Sequence, residues 1–575
     1  MQPDRIFPPG HVGHARRARA RGIELPALPE QSDSSRVRFA RAVELGRRIR
    51  WNAALRIRLA AWAYTRDRRR ERRNLLSQER RPESGAHAMS GRKGSTRGRG
   101  RPSPDAAAAL AGVPVTVGQQ VQCEIVGLTH DGEGVGRYEG YTLFVRGALP
   151  EERVLAEVVS IGKSFGRARL KKLEKASKDR VGPPCEIYDA CGGCQLQHID
   201  YAAQLRWKRQ HVVSSLERIG KLKVAEAGGD GVIVHPVIGM DEPWRYRNKA
   251  QVPIGYGEAG LIGGFYEQGS NDVVDMDACL ITQEENETLV RAVKSAAREL
   301  GISAYDRTTG RGLLRHVVVR HARATGQRMV VLVTNGLDIP HADEWIGLIR
   351  EQVPGLVSVC QNVNAASTPV VMGDVTRTLW GEDVIYDEIG GIRFAISPRS
   401  FFQVNPEQTE RLYRAAVDYA ALTGEETVID AYCGIGTITL FLARYARRVY
   451  GVEIVPEAIE DARRNALLND IRNAEFEVGA AEVVMPKWQA RGVSPDVIVV
   501  DPPRKGCDPA LIRTMLELRP ERIVYVSCDP STLARDLRLL EDGGYRAVEV
   551  QPVDMFPHTG HVECVLWMEW RGEPK

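Results

Sequence analysis

A cysteine and a glutamate near the carboxyl terminus are the residues best suited to covalent chemistry. Cys528 comes just after the apolar run Ile523–Val526, at the end of a predicted strand. A lone cysteine is usually a small buried side chain, but the end of a strand is a place where a nucleophile is presented. Glu563 closes the run Asp-Met-Phe-Pro-His-Thr-Gly-His-Val-Glu at 554–563. Taken alone it would be interpreted as a surface residue, whereas a carboxylate close to a cysteine predicts a nucleophile with a general base.

A second group of residues predicts a cofactor site. The strand Val428–Asp430 leads into a turn that contains Gly434 and Gly436, and Glu453 ends the next predicted strand. Such glycines let the backbone approach a ligand closely, and an acidic residue at the second strand suits the hydroxyls of a ribose. The turn lacks the full Gly-x-Gly-x-x-Gly pattern of dinucleotide-binding proteins. S-adenosyl-methionine, which has no pyrophosphate, therefore fits better than a nicotinamide.

A third strand predicts that Asp501 lies at the same edge. The run Val497–Val500 leads into Asp501-Pro502-Pro503-Arg504, and ligands of open α/β sheets bind at the carboxyl ends of the strands. The two prolines stiffen the turn that carries the carboxylate. Many amino-methyltransferases also have an acid-Pro-Pro turn, but an aromatic residue follows it. The arginine in this place argues against that class.

Four cysteines predict a metal centre. Cys185, Cys191 and Cys194 lie within ten residues of one another, and Cys279 follows far downstream. Thiolates so close together point at a common ion. Their spacing alone leaves zinc and an iron–sulfur cluster open.

Three folded parts are predicted to position these residues. Short β-type runs with glycine turns over 113–175 predict a small closed barrel. The pattern suits a barrel that holds single-stranded nucleic acid and a purely structural β-domain equally well. Residues 176–395 mix strands and helices in an α+β pattern, and from 396 onward regular strand–helix alternation predicts an open parallel α/β sheet. The predicted barrel strands are Gln120–Val126, Tyr141–Val145, Arg153–Ile161 and Arg167–Lys172, with a turn at 131–136.

The extension 1–112 differs from the rest of the chain in charge. Residues 1–105 carry 26 basic and 10 acidic residues, whereas the other 53 basic and 64 acidic residues give a balance of −11. A basic helix over Arg36–Leu76 would be an RNA-binding arm. The interpretation we favour is a disordered or mis-assigned segment with the true start at Met89, followed by a flexible linker.

Composition excludes other classes. No apolar run reaches the roughly 18 residues of a membrane span. Ten cysteines in 575 residues are too few for a disulfide scaffold. The start lacks the pattern of a secretory signal, so the cytoplasm is the expected compartment.

The sequence resembles the RNA uracil-C5 methyltransferases, which use S-adenosyl-methionine. The segments Asp501–Gly506, Ser527–Pro530 and Asp554–Glu563 look like that family's three motifs, and Phe401–Asn405 resembles its approach to the cofactor domain. The barrel at 113–175 is similar to a TRAM domain. The resemblance covers 113–575 and implies a class I (Rossmann-like) methyltransferase domain at 396–575. The branch that acts on 23S ribosomal RNA looks closest.

The resemblance implies a role for each candidate residue. Cys528 would add to C6 of uracil, which makes C5 nucleophilic, and Glu563 would remove the C5 proton. The implied residues of the S-adenosyl-methionine pocket are Gln403, Tyr432, Glu453 and Asp501.

The resemblance also favours an iron–sulfur cluster over zinc. The stretch Asp275-Met276-Asp277-Ala278-Cys279 matches the acidic approach to the family's fourth cysteine. Cys185, Cys191, Cys194 and Cys279 would then hold a [4Fe–4S] cluster. The implied partner is a single-stranded loop of 23S ribosomal RNA, bound by a monomer. Transfer-RNA methylation and a non-catalytic RNA-binding factor are the alternatives.

Overall fold

The structure is a computed structural model, and it describes residues 112–226, 229–258 and 260–572. The predicted extension, with its Arg36–Leu76 helix and its start at Met89, lies outside the described residues except for Gly112. Among the helices of the described part, none is long and apolar enough to cross a membrane.

The amino-terminal strands close into the predicted barrel. The strands are β1 (Gln120–Leu128), β2 (Gly134–Tyr138), β3 (Tyr141–Arg146), β4 (Arg153–Ile161) and β5 (Phe165–Lys175), in the order β1-β2-β3-β5-β4. Buried side chains alternate with exposed ones along β1 and with half-buried ones along β3, because successive side chains of a strand point to opposite faces. The closed barrel confirms the prediction.

The sequence did not predict β2, because its glycines indicated a turn. A Cβ atom at Gly134 would lie 2.6 Å from the carbonyl oxygen of Ala148, and one at Gly136 would lie 2.9 Å from Cys123 Sγ. These glycines therefore lie where the barrel interior has no room for a side chain.

A linking segment and a mixed sheet follow the barrel. The segment contains α1 (Tyr201–Arg218), β6 (Val224–Ala225) and β7 (Val232–Val234). The sheet has the order β10-β9-β8-β11-β12-β13-β14, and only β12 and β13 pair in parallel. Its strands are β8 (Lys249–Gly257), β9 (Gly260–Tyr266), β10 (Val273–Asp275), β11 (Leu314–His321), β12 (Arg328–Thr334), β13 (Leu356–Val363) and β14 (Val375–Gly381), with helices α2 (Glu284–Glu299) and α3 (Ala342–Gln352).

The carboxyl-terminal part is built on a nine-stranded sheet. A hairpin, β15 (Ile385–Ile389) and β16 (Ile392–Ile396), precedes it. The later strands are β17 (Thr427–Ala431), β18 (Arg448–Glu453), β19 (Ala474–Val478), β20 (Val497–Val500), β21 (Arg522–Ser527), β22 (Tyr545–Val553) and β23 (Glu563–Trp570). The helices are α4 (Pro406–Ala420), α5 (Thr437–Ala443), α6 (Pro456–Leu468), α7 (Ala481–Ala490), α8 (Pro509–Leu518) and α9 (Pro530–Asp542). The strand order is β19-β18-β17-β20-β21-β23-β22-β7-β6.

The linking segment packs on this sheet. Strand β7 pairs in parallel with β22, and α1 packs against α9. Val212 and Leu216 of α1 share one buried cluster with Leu533 and Leu537 of α9. The segment between the barrel and the mixed sheet thus contributes to the core of the nine-stranded sheet.

A buried ion pair ties α1 to the loop before β23. Lys208 Nζ donates to Asp554 Oδ1 at 2.6 Å, and both side chains are 0% exposed. The same ammonium donates to the carbonyl oxygen of Phe556 at 3.1 Å, and the Tyr201 hydroxyl donates to Asp554 Oδ2 at 3.0 Å. Removing one member would leave the other charge buried and unpaired, which is costly.

We expect Lys208→Met to lower the free energy of unfolding by about 3–5 kcal/mol, because it leaves Asp554 as an unpaired buried charge. Arg206→Met on the same helix is the matched control: the Arg206 side chain is 61% exposed in its pair with Asp179, so its loss should cost less than about 1 kcal/mol. Denaturant unfolding followed by tryptophan fluorescence measures both. Equal effects of the two substitutions would contradict the prediction.

Candidate active site

All six residues predicted for catalysis and cofactor binding line one cavity of about 660 Å³. They are Gln403, Tyr432, Glu453, Asp501, Cys528 and Glu563. We call this space the sheet-edge cavity. Its volume is typical of small-molecule sites, which range over about 300–1,000 Å³.

The strand directions explain why these residues meet. Glu453 ends β18, Asp501 follows β20 and Cys528 follows β21, so three parallel strands deliver them to one edge. Glu563 begins β23, which runs antiparallel to β21 with Ser527 opposite Cys564. The first residue of an antiparallel strand lies at the carboxyl edge of its parallel neighbours, and this brings Glu563 beside Cys528.

The turn after β17 has an unusual backbone. Tyr432 has φ +68°, and Gly434 and Gly436 follow at +55° and +83°. The amide groups of Tyr432 and Cys433 donate to the carbonyl oxygen of Val452, at 3.0 and 3.1 Å. A left-handed conformation is uncommon and costly for a residue with a side chain. The two hydrogen bonds to β18 offset this cost and hold the tyrosine at the cavity wall.

Gln403 is held by residues of other segments. Asn248 Nδ2 donates to the Gln403 carbonyl oxygen at 3.1 Å, and the Asn248 amide donates to that of Val404 at 2.8 Å. Asn405 caps α4 by accepting from the Gln408 amide at 3.3 Å. The segment that carries Gln403 is therefore fixed between the mixed sheet and α4.

Three carboxyl groups give this region its electrostatic character: Asp501 and Glu563 line the cavity, and Asp430 is buried in β17, two residues before Tyr432. Burial raises the pKa of Asp501 to about 6. Burial, reinforced by Asp501 and opposed by Arg504, raises the pKa of Glu563 to about 8. Burial also raises the pKa of Asp430 to about 7, although its Oδ2 accepts from Thr439 Oγ1 at 2.5 Å. A cation in this cavity would favour the ionised form of all three.

The surroundings of Cys528 disfavour its thiolate form. Burial is the largest cause, and the charges of Glu563 and Asp501 add to it, so that the pKa of the thiol rises to about 12. The Arg504 guanidinium opposes this shift. A positively charged ligand would act in the same direction as Arg504 and promote formation of the thiolate.

The loop that leads to Glu563 is held along its backbone. Five consecutive carbonyl oxygens, those of residues 554–558, each accept a hydrogen bond from a different part of the chain. The donors are, in order, the side chains of Gln408, Asn405, Lys208 and Tyr246, and the amides of Gln195 and Leu196, at 2.9–3.2 Å. We call residues 554–563 the anchored loop.

His558 connects the anchored loop to the cysteine-bearing segment. It has φ +66°, and its ring stacks on Trp244 with the centroids 3.7 Å apart. Its amide donates to Gln204 Oε1 at 3.0 Å, and Gln204 Nε2 lies 3.2 Å from its Nδ1. Sequence reasoning missed Gln204, Lys208 and Trp244, because no local pattern marks a residue whose partner lies more than 300 residues away in the chain.

The four predicted metal ligands also share a cavity. Cys185, Cys191, Cys194 and Cys279 line a space of about 480 Å³, which we call the cysteine cavity. All four are free thiols. Within the described residues, no set of three or more His, Cys, Asp or Glu side chains converges tightly enough to hold a single metal ion.

The segment of Cys279 is fixed by protein contacts. Its amide donates to Glu287 Oε1 at 2.7 Å, and its carbonyl oxygen accepts from Arg245 at 3.0 Å. Two sulfur atoms already accept hydrogen bonds: Cys191 Sγ from the Gly193 amide at 3.3 Å, and Cys279 Sγ from the Thr282 hydroxyl at 3.4 Å.

Comparison with known proteins agrees with this geometry. The family model of tRNA (uracil-5-)-methyltransferases matches residues 388–571, and that of the TRAM domain matches residues 114–171. Over 456 residues the chain is 58% identical to an uncharacterised RNA methyltransferase of Halalkalibacterium halodurans, a match that covers 79% of this chain and 98% of the relative. A Listeria monocytogenes RNA methyltransferase is 52% identical over 447 residues, or 78% of this chain and 97% of the relative.

A solved structure supports the same assignment. The tRNA (uracil-54, C5)-methyltransferase of Pyrococcus abyssi, in complex with S-adenosyl-L-homocysteine, superposes with a TM-score of 0.62 at 30% identity. The match covers 78% of this chain and all of that one. The chain belongs to the family of S-adenosyl-methionine-dependent RNA uracil-C5 methyltransferases. This confirms the predicted family, the class I fold, the TRAM barrel and the enzyme class.

We expect binding of S-adenosyl-methionine relative to S-adenosyl-homocysteine to tighten by at least about tenfold between pH 6 and pH 9. The methyl donor carries a positive sulfonium and the product does not, so only the donor gains when carboxyl groups with pKa values of about 6 to 8 ionise. Calorimetric titration with each compound measures the ratio.

Glu563→Gln should flatten the upper part of this pH profile. Glu482→Gln is the control, because Glu482 lines the same cavity but is not fully buried. A ratio that does not vary with pH in the unmodified protein would contradict the electrostatic argument.

Proposed function

We propose that this enzyme methylates C5 of a uridine in 23S ribosomal RNA through a covalent adduct between Cys528 and C6 of the base. The observation that carries the proposal is the meeting of Cys528, Glu563 and Asp501 in one cavity with the proposed donor-binding residues Gln403, Tyr432 and Glu453. Uracil C5 is too weak a nucleophile to take a methyl group unaided. A thiolate and a base beside a methyl donor are what the reaction requires.

The first step forms the adduct. Arg504 and the positive sulfonium of the donor lower the pKa of the Cys528 thiol, whose proton passes to water. The thiolate attacks C6, a sulfur–carbon bond forms, and the electrons of the C5=C6 bond move toward O4 as an enolate.

The later steps transfer the methyl group and release the enzyme. C5 attacks the methyl carbon, and the carbon–sulfur bond of the donor breaks with its electrons remaining on the neutral thioether. The Glu563 carboxylate then takes the C5 proton, the C5=C6 bond re-forms, and the thiolate leaves C6. Glu563 ionises before the methyl transfer, while the positive sulfonium and Arg504 both lower its raised pKa.

A groove between the barrel and the anchored loop supports RNA binding. Arg146, Arg167 and Arg169 of the barrel line one space with Gly560 and His561. Gly560 has no room for a side chain, since a Cβ atom would lie 2.5 Å from the His130 carbonyl oxygen. We propose that a single strand follows this groove and that its target uridine flips into the sheet-edge cavity.

The cysteines support our choice of ribosomal RNA, since the branch that the sequence resembles acts on that substrate. Transfer RNA remains the second candidate, because the Pyrococcus abyssi enzyme of similar structure is a tRNA methyltransferase. A non-catalytic binding factor would have no need to keep Cys528, Glu563 and Asp501 together. We place the enzyme in the cytoplasm and expect a monomer.

We also propose that Cys185, Cys191, Cys194 and Cys279 hold a [4Fe–4S] cluster. All four thiols line one cavity, and thiolates are the ligands of such clusters. The resemblance to the cluster-bearing branch of the family favours this cluster over zinc, for which four thiolates are also suitable ligands. The bound cluster would link the segment of Cys185, Cys191 and Cys194 to that of Cys279 through iron–sulfur bonds.

Cys528→Ala should abolish methylation and any stable complex with RNA that contains 5-fluorouridine, whose fluorine blocks the final elimination. Glu563→Gln should instead accumulate a methylated covalent adduct on ordinary RNA, because addition precedes proton removal. Denaturing gels and intact mass spectrometry detect both species.

The same variants identify the substrate in cells. A deletion strain should lack one 5-methyluridine in 23S ribosomal RNA and keep those of transfer RNA. The unmodified gene should restore it, and the Cys528→Ala variant should not. Nucleoside mass spectrometry of the separated RNAs makes the measurement. Loss from transfer RNA alone would replace the proposed substrate with the second candidate.

Protein purified without oxygen should carry about four iron atoms per chain and absorb visible light, as a cubane cluster does. Cys279→Ser and Cys191→Ser should lose the iron to the same degree. Cys360→Ser is the control, because Cys360 is buried in the core away from the cysteine cavity. Stoichiometric zinc without iron would overturn the assignment.

A further inference from the structure

The cysteine cavity is lined by positive charge as well as by the four thiols. Three cationic side chains line it, those of Arg247, Lys249 and Arg504, and no carboxylate is among its lining residues. None of the three forms an ion pair with a described residue, whereas nearby cations such as Arg245 and Lys294 do. Unpaired cations in a shared cavity repel one another, so an anion placed among them would be bound favourably.

Lys249 is held in this position by the sheet. It starts β8, opposite Arg320 of β11, and Arg320 donates to the carbonyl oxygen of Ser400. Burial, with the charges of Arg320 and Arg247, holds the pKa of Lys249 well below its usual value. A bound anion would remove this penalty by favouring the ammonium.

The segments that carry these cations reach the catalytic side of the cavity. Arg247 and Lys249 flank Asn248, which donates to the carbonyl oxygens of Gln403 and Val404. Arg504 lowers the pKa of both Cys528 and Glu563. Arg504, Phe556 and His561 line the cysteine cavity and the sheet-edge cavity alike. The anion therefore belongs beside the target base.

We propose that Arg247, Lys249 and Arg504 form a binding site for a backbone phosphate next to the target uridine. This inference rests on the proposed function, since it places the RNA strand across the wall between the two cavities. A phosphate group there would compensate the three cations and fix the flipped nucleotide relative to Cys528. Arg504 would then act on the thiol and on the phosphate from one position, with its guanidinium donating to His561 Nε2 at 3.2 Å.

The test measures binding of a single-stranded oligouridylate to the full chain with its metal content intact, at several salt concentrations. Each phosphate contact contributes about 0.7 to the slope of log affinity against log salt for single strands. Arg247→Gln and Lys249→Gln should each lower the slope by about that amount, and Lys249→Arg should keep it. Lys223→Gln, whose side chain is 72% exposed on the linking segment, should leave the slope unchanged.

Two further readouts separate this site from its alternatives. S-adenosyl-homocysteine affinity and iron content should stay unchanged in Arg247→Gln and Lys249→Gln. An unchanged salt slope together with lost iron would show that these cations serve the cluster and would overturn the phosphate site. Oligouridylate binding needs no methylation, so the slope still decides the phosphate site if the proposed ribosomal substrate is wrong.

Discussion

The anchored loop is the constraint on which the site depends, because it must place a buried carboxylate beside a half-buried thiol. Five successive carbonyl oxygens at 554–558 are each taken by a donor from another segment. The buried pair of Lys208 and Asp554 adds a charge-assisted bond at 2.6 Å. These bonds fix the first half of the loop, and the pairing of Glu563 with Val553 and of Cys564 with Ser527 fixes its end, so Glu563 is held relative to Cys528.

Two cavities of opposite character meet at one wall. The sheet-edge cavity is lined by Asp501 and Glu563, both with raised pKa values. The cysteine cavity holds cations and no carboxylate. A positive methyl donor suits the first and a polyanionic strand suits the second. Arg504 lines both cavities. The positive methyl donor and the negative RNA strand would therefore lie in different cavities, and the methyl group would pass from one to the other at their shared wall.

The donors to the anchored loop link distant parts of the chain. Gln195 and Leu196 directly follow Cys194, and their amides bind the carbonyl oxygen of His558. Gln204 contacts His558 and the carbonyl oxygens of Leu196 and Ile199. The cysteine-bearing segment is thus a structural support of the catalytic edge, and the cluster that we propose would strengthen this support rather than transfer electrons.

Local pattern was sufficient to predict the barrel, the strand–helix alternation, and the edge at which Glu453, Asp501 and Cys528 meet, because parallel strands place their carboxyl ends together. It failed at β2, where glycines that fit the barrel interior looked like a turn. The arrival of Glu563 beside Cys528 depends on the antiparallel direction of β23, and the roles of Lys208, Gln204 and Lys249 depend on partners far away in the chain. The periodicity of a sequence reflects the preferences of residues that are neighbours in the chain. Buried charges and polar groups can pair across hundreds of residues, and these pairs form only when the tertiary structure removes the groups from water.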